Sequence, residues 1–170
     1  MGYVHDTSMA EGAAIGQMTF TGGAWSDATL GGNVWCKRRT ASDAAFVVKI
    51  SLGLPQSSAP GKGAWLKAVE VFYKIASAAL DGLSAGIYAN PLPAQGAAFG
   101  AAQALAFAYD AAHATAAQRV TADEHRLLLT LETPLQMGVG LLVHAELAGD
   151  GSALGVFELY AAQAYYTLRL

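Results

Sequence analysis

Beyond residue 45, apolar and polar residues alternate along most of the chain. Phe46, Val48, Ile50, Leu52 and Leu54 are all apolar, with Lys49 and Ser51 between them. A two-residue period places alternate side chains on opposite faces of a strand. Residues 46–54 therefore form a half-buried strand, closed by Pro55 and a Ser/Pro/Gly loop running to Gly63. Residues 65–75 repeat the pattern, with Val69, Val71, Tyr73 and Ile75 on one face and Glu70, Phe72 and Lys74 on the other. Their β-branched and aromatic character suits a strand. Further strands are predicted over 83–89, stopped by Asn90, Pro91 and Pro93, and over 125–132, ended by Thr133 and Pro134. Two more are predicted over 141–147, with His144 and Glu146 toward solvent, and from about 154 to 170. In the last strand the apolar even positions are Val156, Tyr160, Tyr166, Leu168 and Leu170.

The stretch 97–109 carries two signals. Its alanines favour a helix, yet Leu105, Phe107 and Tyr109 alternate with alanines, and a strand over 103–109 agrees better with its neighbours. Thr115 and Gln118 have the spacing of a capping box and open a single helical turn.

Residues 1–44 read differently. Gly12, Gly16, Gly22, Gly23, Gly31 and Gly32 oppose long regular elements, and only 18–20 and 34–35 suggest brief strands. The expected organisation is an extended Gly-rich N-terminal arm over 1–44, lying on its own domain or on a neighbour, followed by a domain over 45–170. About seven strands joined by turns predict an all-β fold. An antiparallel β-sandwich of jelly-roll-like topology is the expected architecture.

Composition changes the picture at one point. Charged residues are 14% of the chain against roughly 25% in an ordinary domain. Hydrophobic residues are 54%, with 36 alanines and 19 glycines, and the net charge is -3. This excludes a disordered chain and argues against nucleic-acid binding, which needs a surplus of Lys and Arg. A surface so poor in charge suits contact with other chains, so a homo-oligomer is expected; a trimer is favoured, although trimer and hexamer leave similar composition. Phe20, Trp25 and Trp35 are the candidate apolar anchors of the arm. Lys37, Arg38 and Arg39 form the one basic run, read as either a contact with an acidic neighbouring subunit or a solvated loop. No apolar stretch is long enough for a membrane span, and the N-terminal residues lack the features of a secretory signal. Cys36 stands alone, so no intramolecular disulfide forms, in keeping with synthesis in a reducing cytoplasm.

Candidate chemistry is sparse. Gly61-Lys62-Gly63 lacks the rest of a phosphate loop, and a strand follows it where a helix is needed. His5, His113, His125 and His144 form no metal-binding motif. Asp110 and His113 could ligate a metal only if Asp123, Glu124 or His125 folded back beside them. Cys36 has cationic neighbours in sequence but no adjacent base. No serine sits in a nucleophile elbow, and no carboxylate pair can be assigned from spacing. Trp25, Trp35 and Trp65 could stack on sugars, although packing is the commoner use of tryptophan. No catalytic residue, cofactor or metal is therefore expected.

Residues 62–75, 78–85 and 165–170, together with Tyr109-Asp-Ala-Ala-His113, Asp123-Glu-His125 and the opening residues 1–6, resemble a group of short tailed-phage proteins. The resemblance implies a non-enzymatic virion component, such as a capsid decoration or cement protein or a spike, with a major capsid or other virion protein as partner. The competing expectation is a β-sandwich binding module for carbohydrate or another surface ligand.

Overall fold

The structure, a computed structural model, describes residues 6–30, 34–59, 61–93, 97–98 and 100–169. Residues 1–5, His5 included, and the pair Gly31-Gly32 lie outside the described residues. Two antiparallel sheets enclose one apolar core. The first contains, in order, β3 (Trp25–Leu30), β4 (Val34–Arg39), β12 (Val156–Arg169), β6 (Gly63–Ala76), β10 (Glu124–Gln136) and β9 (Phe107–Tyr109). Strand β1 (Asp6–Ala13) also pairs with β12. The second sheet runs β2 (Met18–Thr21), β5 (Ala45–Leu52), β11 (Leu141–Asp150), β7 (Gly82–Pro91) and β8 (Gln103–Ala104). In chain order β5, β6, β7, β10, β11 and β12 alternate between the sheets. Each long strand thus hands the chain across the core, which gives the sandwich its jelly-roll-like winding.

The two-residue period decides which side chains meet inside. Phe46, Val48, Ile50 and Leu52 of β5 are buried, as are Val69, Val71, Tyr73 and Ile75 of β6 and Leu127 and Leu129 of β10. Strand β12 departs from the predicted alternation. Phe157 and Leu159 face the core, the register shifts between Leu159 and Ala161, and Ala162, Ala164 and Tyr166 face the core afterwards. An extra residue in one strand reverses which parity points inward. The inward set is therefore odd before Tyr160 and even after it, and neither Val156 nor Tyr160 is in the core.

The segment before residue 45 belongs to the sandwich. Strand β1 runs along β12 from Asp6–Arg169 to Ala13–Ala162, β4 pairs with the other half of β12, and β2 pairs with β5. The boundary expected at 44 thus separates no independent unit, because strands on both sides of it share both sheets. Gly22 and Gly23 serve the turn between β2 and β3. Gly22 has φ +75°, and a Cβ there would lie 2.2 Å from the Ala45 carbonyl oxygen. Only glycine lets the chain pass so close to β5 between β2 and β3.

The predicted strand over 103–109 is two short strands, β8 in one sheet and β9 in the other, with residues 105–106 crossing between. Thr115 caps α1 (Ala116–Arg119) as its spacing predicts. The Gln118 amide donates to Thr115 Oγ1 at 3.3 Å, and Gln118 Oε1 accepts from the Thr115 amide at 2.8 Å.

Candidate functional site

The face of the first sheet turned away from the core carries the densest polar chemistry. Alternation along β6 puts Phe72 and Lys74 there beside Glu70, and the shifted register of β12 adds Glu158, Gln163 and Tyr165. Arg38 reaches this face from β4, and Arg126 from β10.

Two arrangements of the same kind stand on this face. The Glu70 carboxylate accepts from Arg126 Nε at 3.0 Å and lies 2.9 Å from Arg126 Nη2, while the Tyr165 hydroxyl donates to its other oxygen at 2.6 Å. The Glu158 carboxylate accepts from Arg38 Nε at 2.7 Å and lies 2.6 Å from Arg38 Nη2, while the Tyr160 hydroxyl donates to its other oxygen at 3.0 Å. Each carboxylate is thus clamped between a guanidinium and a phenol. Both are buried although they face away from the core, with Glu70 at 6% and Glu158 at 3% exposure. The guanidiniums are outermost, and their remaining N–H groups are available to solvent. The Arg126 guanidinium also lies 5.3 Å from the Phe72 ring centre.

These contacts shift the phenols in one direction. The hydrogen bond to Glu70, then burial, holds the Tyr165 phenol above its ordinary pKa. Burial, then the hydrogen bond to Glu158, does the same for Tyr160. Cys36, outward-facing but buried, has its thiol pushed up by burial and then by Glu158, so it is a poor nucleophile.

The expected interface residues divide between inside and outside. Trp25 packs against Phe20, Phe46 and Phe157, at ring-centre distances of 4.8, 5.7 and 6.3 Å. Its indole N–H donates to the Gly22 carbonyl at 2.9 Å. Arg39 is fully buried, donates to the carbonyls of Ser42 and Ala44, and lies over the Phe46 ring. Lys37 pairs with Asp27 at 2.9 Å. Phe20, Trp25, Lys37, Arg38 and Arg39 therefore find partners within this chain. Trp35, 64% exposed, is the one of the three aromatic anchors that faces solvent. The three tryptophans share no platform, since Trp25 belongs to the core and Trp65 is on the opposite, outward face of β6, beneath the Arg169 guanidinium.

A second cluster lies at the end of the sandwich formed by residues 110–125. Burial alone would raise the Asp110 carboxyl, but the Leu128 amide, His113 and the Ala112 amide together hold it below the usual carboxylate range. His125 folds back beside His113, with His113 Nε2 and His125 Nδ1 3.1 Å apart. Among the described residues, no group of three or more His, Cys, Asp and Glu stands ready to hold a metal ion.

No protein-family model matches the sequence, and no curated protein does. Several solved structures show similarity, two carbohydrate-binding modules among them. One is a carbohydrate-binding module of the β-sandwich superfamily described for promiscuous specificity, with TM-score 0.43 and 14% identity over 92% of this chain. This chain spans 57% of that one. The other is a family 29 carbohydrate-binding module from Piromyces equi, with TM-score 0.34 and 11% identity, covering 98% of this chain and 90% of that one. A likeness of this degree reaches no further than the two-sheet β layout. Both neighbours are described as carbohydrate-binding modules, and neither as a virion protein. The expectation of a capsid decoration component is withdrawn, because the arm meant for a neighbouring subunit is part of this chain's own sheets. No helix among the described residues is long and apolar enough to cross a membrane.

Proposed function

We propose that the protein is a non-catalytic β-sandwich module that binds a neutral carbohydrate on the outward face of its first sheet. The observation that carries this reading is the pair of Arg–Glu–Tyr clamps at Glu70 and Glu158. A sugar presents hydroxyls that both donate and accept, and C–H patches that rest on aromatic rings. The clamps supply guanidinium donors and phenol acceptors, together with the rings of Phe72, Tyr160 and Tyr165. Each clamp balances one negative charge with one positive, so the face favours a neutral ligand over an ion. Held side chains lose little further freedom on binding, which is where affinity for a small polar ligand is otherwise lost.

The same geometry argues against hydrolysis. Glu70 and Lys74 lie four residues apart on β6, and Glu158 is opposite Lys74, so the backbone positions of the two glutamates are roughly 13 Å apart along the strand. Glycosidase pairs stand about 5–9.5 Å apart, with one member kept protonated. Here each carboxylate is already tied to a guanidinium and a phenol.

Affinity electrophoresis against soluble neutral polysaccharides (β-glucan, xyloglucan, mannan and xylan), followed by calorimetry on the best, tests the reading. Retardation by at least one is expected, with a tenfold or greater loss in Tyr165→Ala and Arg126→Ala and none in Tyr88→Ala on the other sheet. Absence of binding to all four, or binding that survives both clamp variants, would overturn it.

A further inference from the structure

We propose that His113 and His125 form a site for one divalent ion of the zinc, copper or nickel class, separate from the sheet face above. The argument starts from hydrogen positions. His113 Nδ1 lies 2.9 Å from both oxygens of Asp110, and His125 Nε2 lies 2.9 Å from the Thr121 carbonyl oxygen. An ionised carboxylate and a carbonyl can only accept, so both of these ring nitrogens carry hydrogen. The lone-pair-bearing nitrogens that remain, His113 Nε2 and His125 Nδ1, are the two that face each other at 3.1 Å.

That separation suits two ligands of one ion. Zinc–imidazole bonds of about 2.0–2.1 Å at a tetrahedral angle set the two nitrogens roughly 3.3 Å apart. A small turn of either ring seats the ion between the two facing lone pairs. The outer contacts are those that metal-binding histidines use. One imidazole donates to a carboxylate and the other to a backbone carbonyl, which fixes tautomer and ring orientation. The supporting shell is held in turn. Asp110 also accepts from the amides of Ala112 and Leu128, each at 2.9 Å, and Tyr73 stacks on His125 with ring centres 4.6 Å apart. A cavity of about 280 Å³ opens on the pair, walled by Gln118, Thr121, Asp123 and Glu124, so water can complete the coordination. Two imidazoles select borderline transition metals, whereas calcium and magnesium require oxygen ligands.

The test is calorimetric titration of the full chain with zinc chloride and nickel chloride, alongside copper(II) electron paramagnetic resonance. One ion per chain is expected, with two equivalent nitrogens in the copper spectrum and no heat with calcium. His125→Ala should abolish the one-to-one uptake, His144→Ala should leave it unchanged, and Asp110→Asn should weaken it by about 10–100-fold through loss of orientation. The copper spectrum of the unaltered protein needs no variant to fold. A signal from a single nitrogen, no saturable uptake of either metal, or undiminished uptake in His113→Ala/His125→Ala would each overturn the proposal.

Discussion

Trp25 and Trp35 are the same residue type, ten positions apart in a segment without clear periodicity, and the structure gives them opposite energetic weights. Trp25 is partly buried against three aromatic rings, whereas Trp35 is 64% exposed. Truncating a half-buried indole returns about 120 Å² of apolar contact to water, or ~3 kcal/mol at ~25 cal/mol per Å². Loss of the ring-on-ring contacts adds about 1 kcal/mol. Trp25→Ala should therefore cost about 3–4 kcal/mol, and Trp35→Ala about 0.5 kcal/mol or less. For a chain of this length the first corresponds to a drop in Tm of about 10 °C. Urea unfolding followed by far-ultraviolet circular dichroism, with calorimetry on the same samples, measures both. The reasoning fails if Trp25→Ala lies within 1 kcal/mol of the parent, or if the two variants are equally destabilised.

Deletion of residues 2–40 removes β1 and β4 from β12, β2 from β5, and Met18, Trp25 and Cys36 from the interior. The truncated chain should lose its cooperative thermal transition, and retention of a sharp calorimetric peak would refute the pairing. On the alkaline side, four of the seven tyrosines (Tyr73, Tyr160, Tyr165 and Tyr166) are held above the ordinary phenol range, burial being the largest cause for all but Tyr165. A folded-state pKa above the unfolded one gives stability that is whole below pH ~10 and is lost as pH rises through the folded values. Phenolate absorbance should accordingly show late-titrating tyrosines in the native protein, and all seven titrating together near pH 10 in 8 M urea only.

The sandwich was legible wherever one face of a strand is apolar and the other is not. Strands β5, β6 and the first part of β10 announce themselves because Phe46, Val71 and Leu127 recur at period two with Lys49, Glu70 and Arg126 between them. Strand β1 carries no such signal. Thr7, Ser8, Ala10, Glu11 and Gly12 are exposed or nearly so, and backbone pairing with β12 holds them. Hydrogen bonding by the main chain leaves no trace in residue type. The Lys37–Arg39 run misled for a related reason. Read as a block it is a basic patch, but in a strand it is split between faces, so Arg38 meets Glu158 while Arg39 enters the core. The clamps were half legible. Period two placed Glu70 and Phe72 on the outward face of β6, but their partners arrive from strands 56 and 95 residues away. The shift at Tyr160 that turns Tyr165 toward Glu70 has no marker of its own.

That shift links the core to the outward face. Without it, β12 would continue Phe157 and Leu159 into Ala161, Gln163 and Tyr165 on the inward side. An amide and a phenol would then displace Ala162 and Ala164 from between the sheets, where polar groups without partners cost several kcal/mol. The inserted residue keeps the small alanines inside against Val71 and Val69, and the polar residues outside beside Glu70. Stability alone does not account for what stands there. The Arg126 side chain is 72% exposed, and pairs of that kind contribute about 0–1 kcal/mol. Burying the two carboxylates costs desolvation that such a pair only partly offsets. What the arrangement does supply is immobility, since each carboxylate is held from two sides and each guanidinium presents its remaining hydrogens from one position. A face ordered in advance loses less freedom when a ligand orders it, and weak polar contacts then sum to useful affinity.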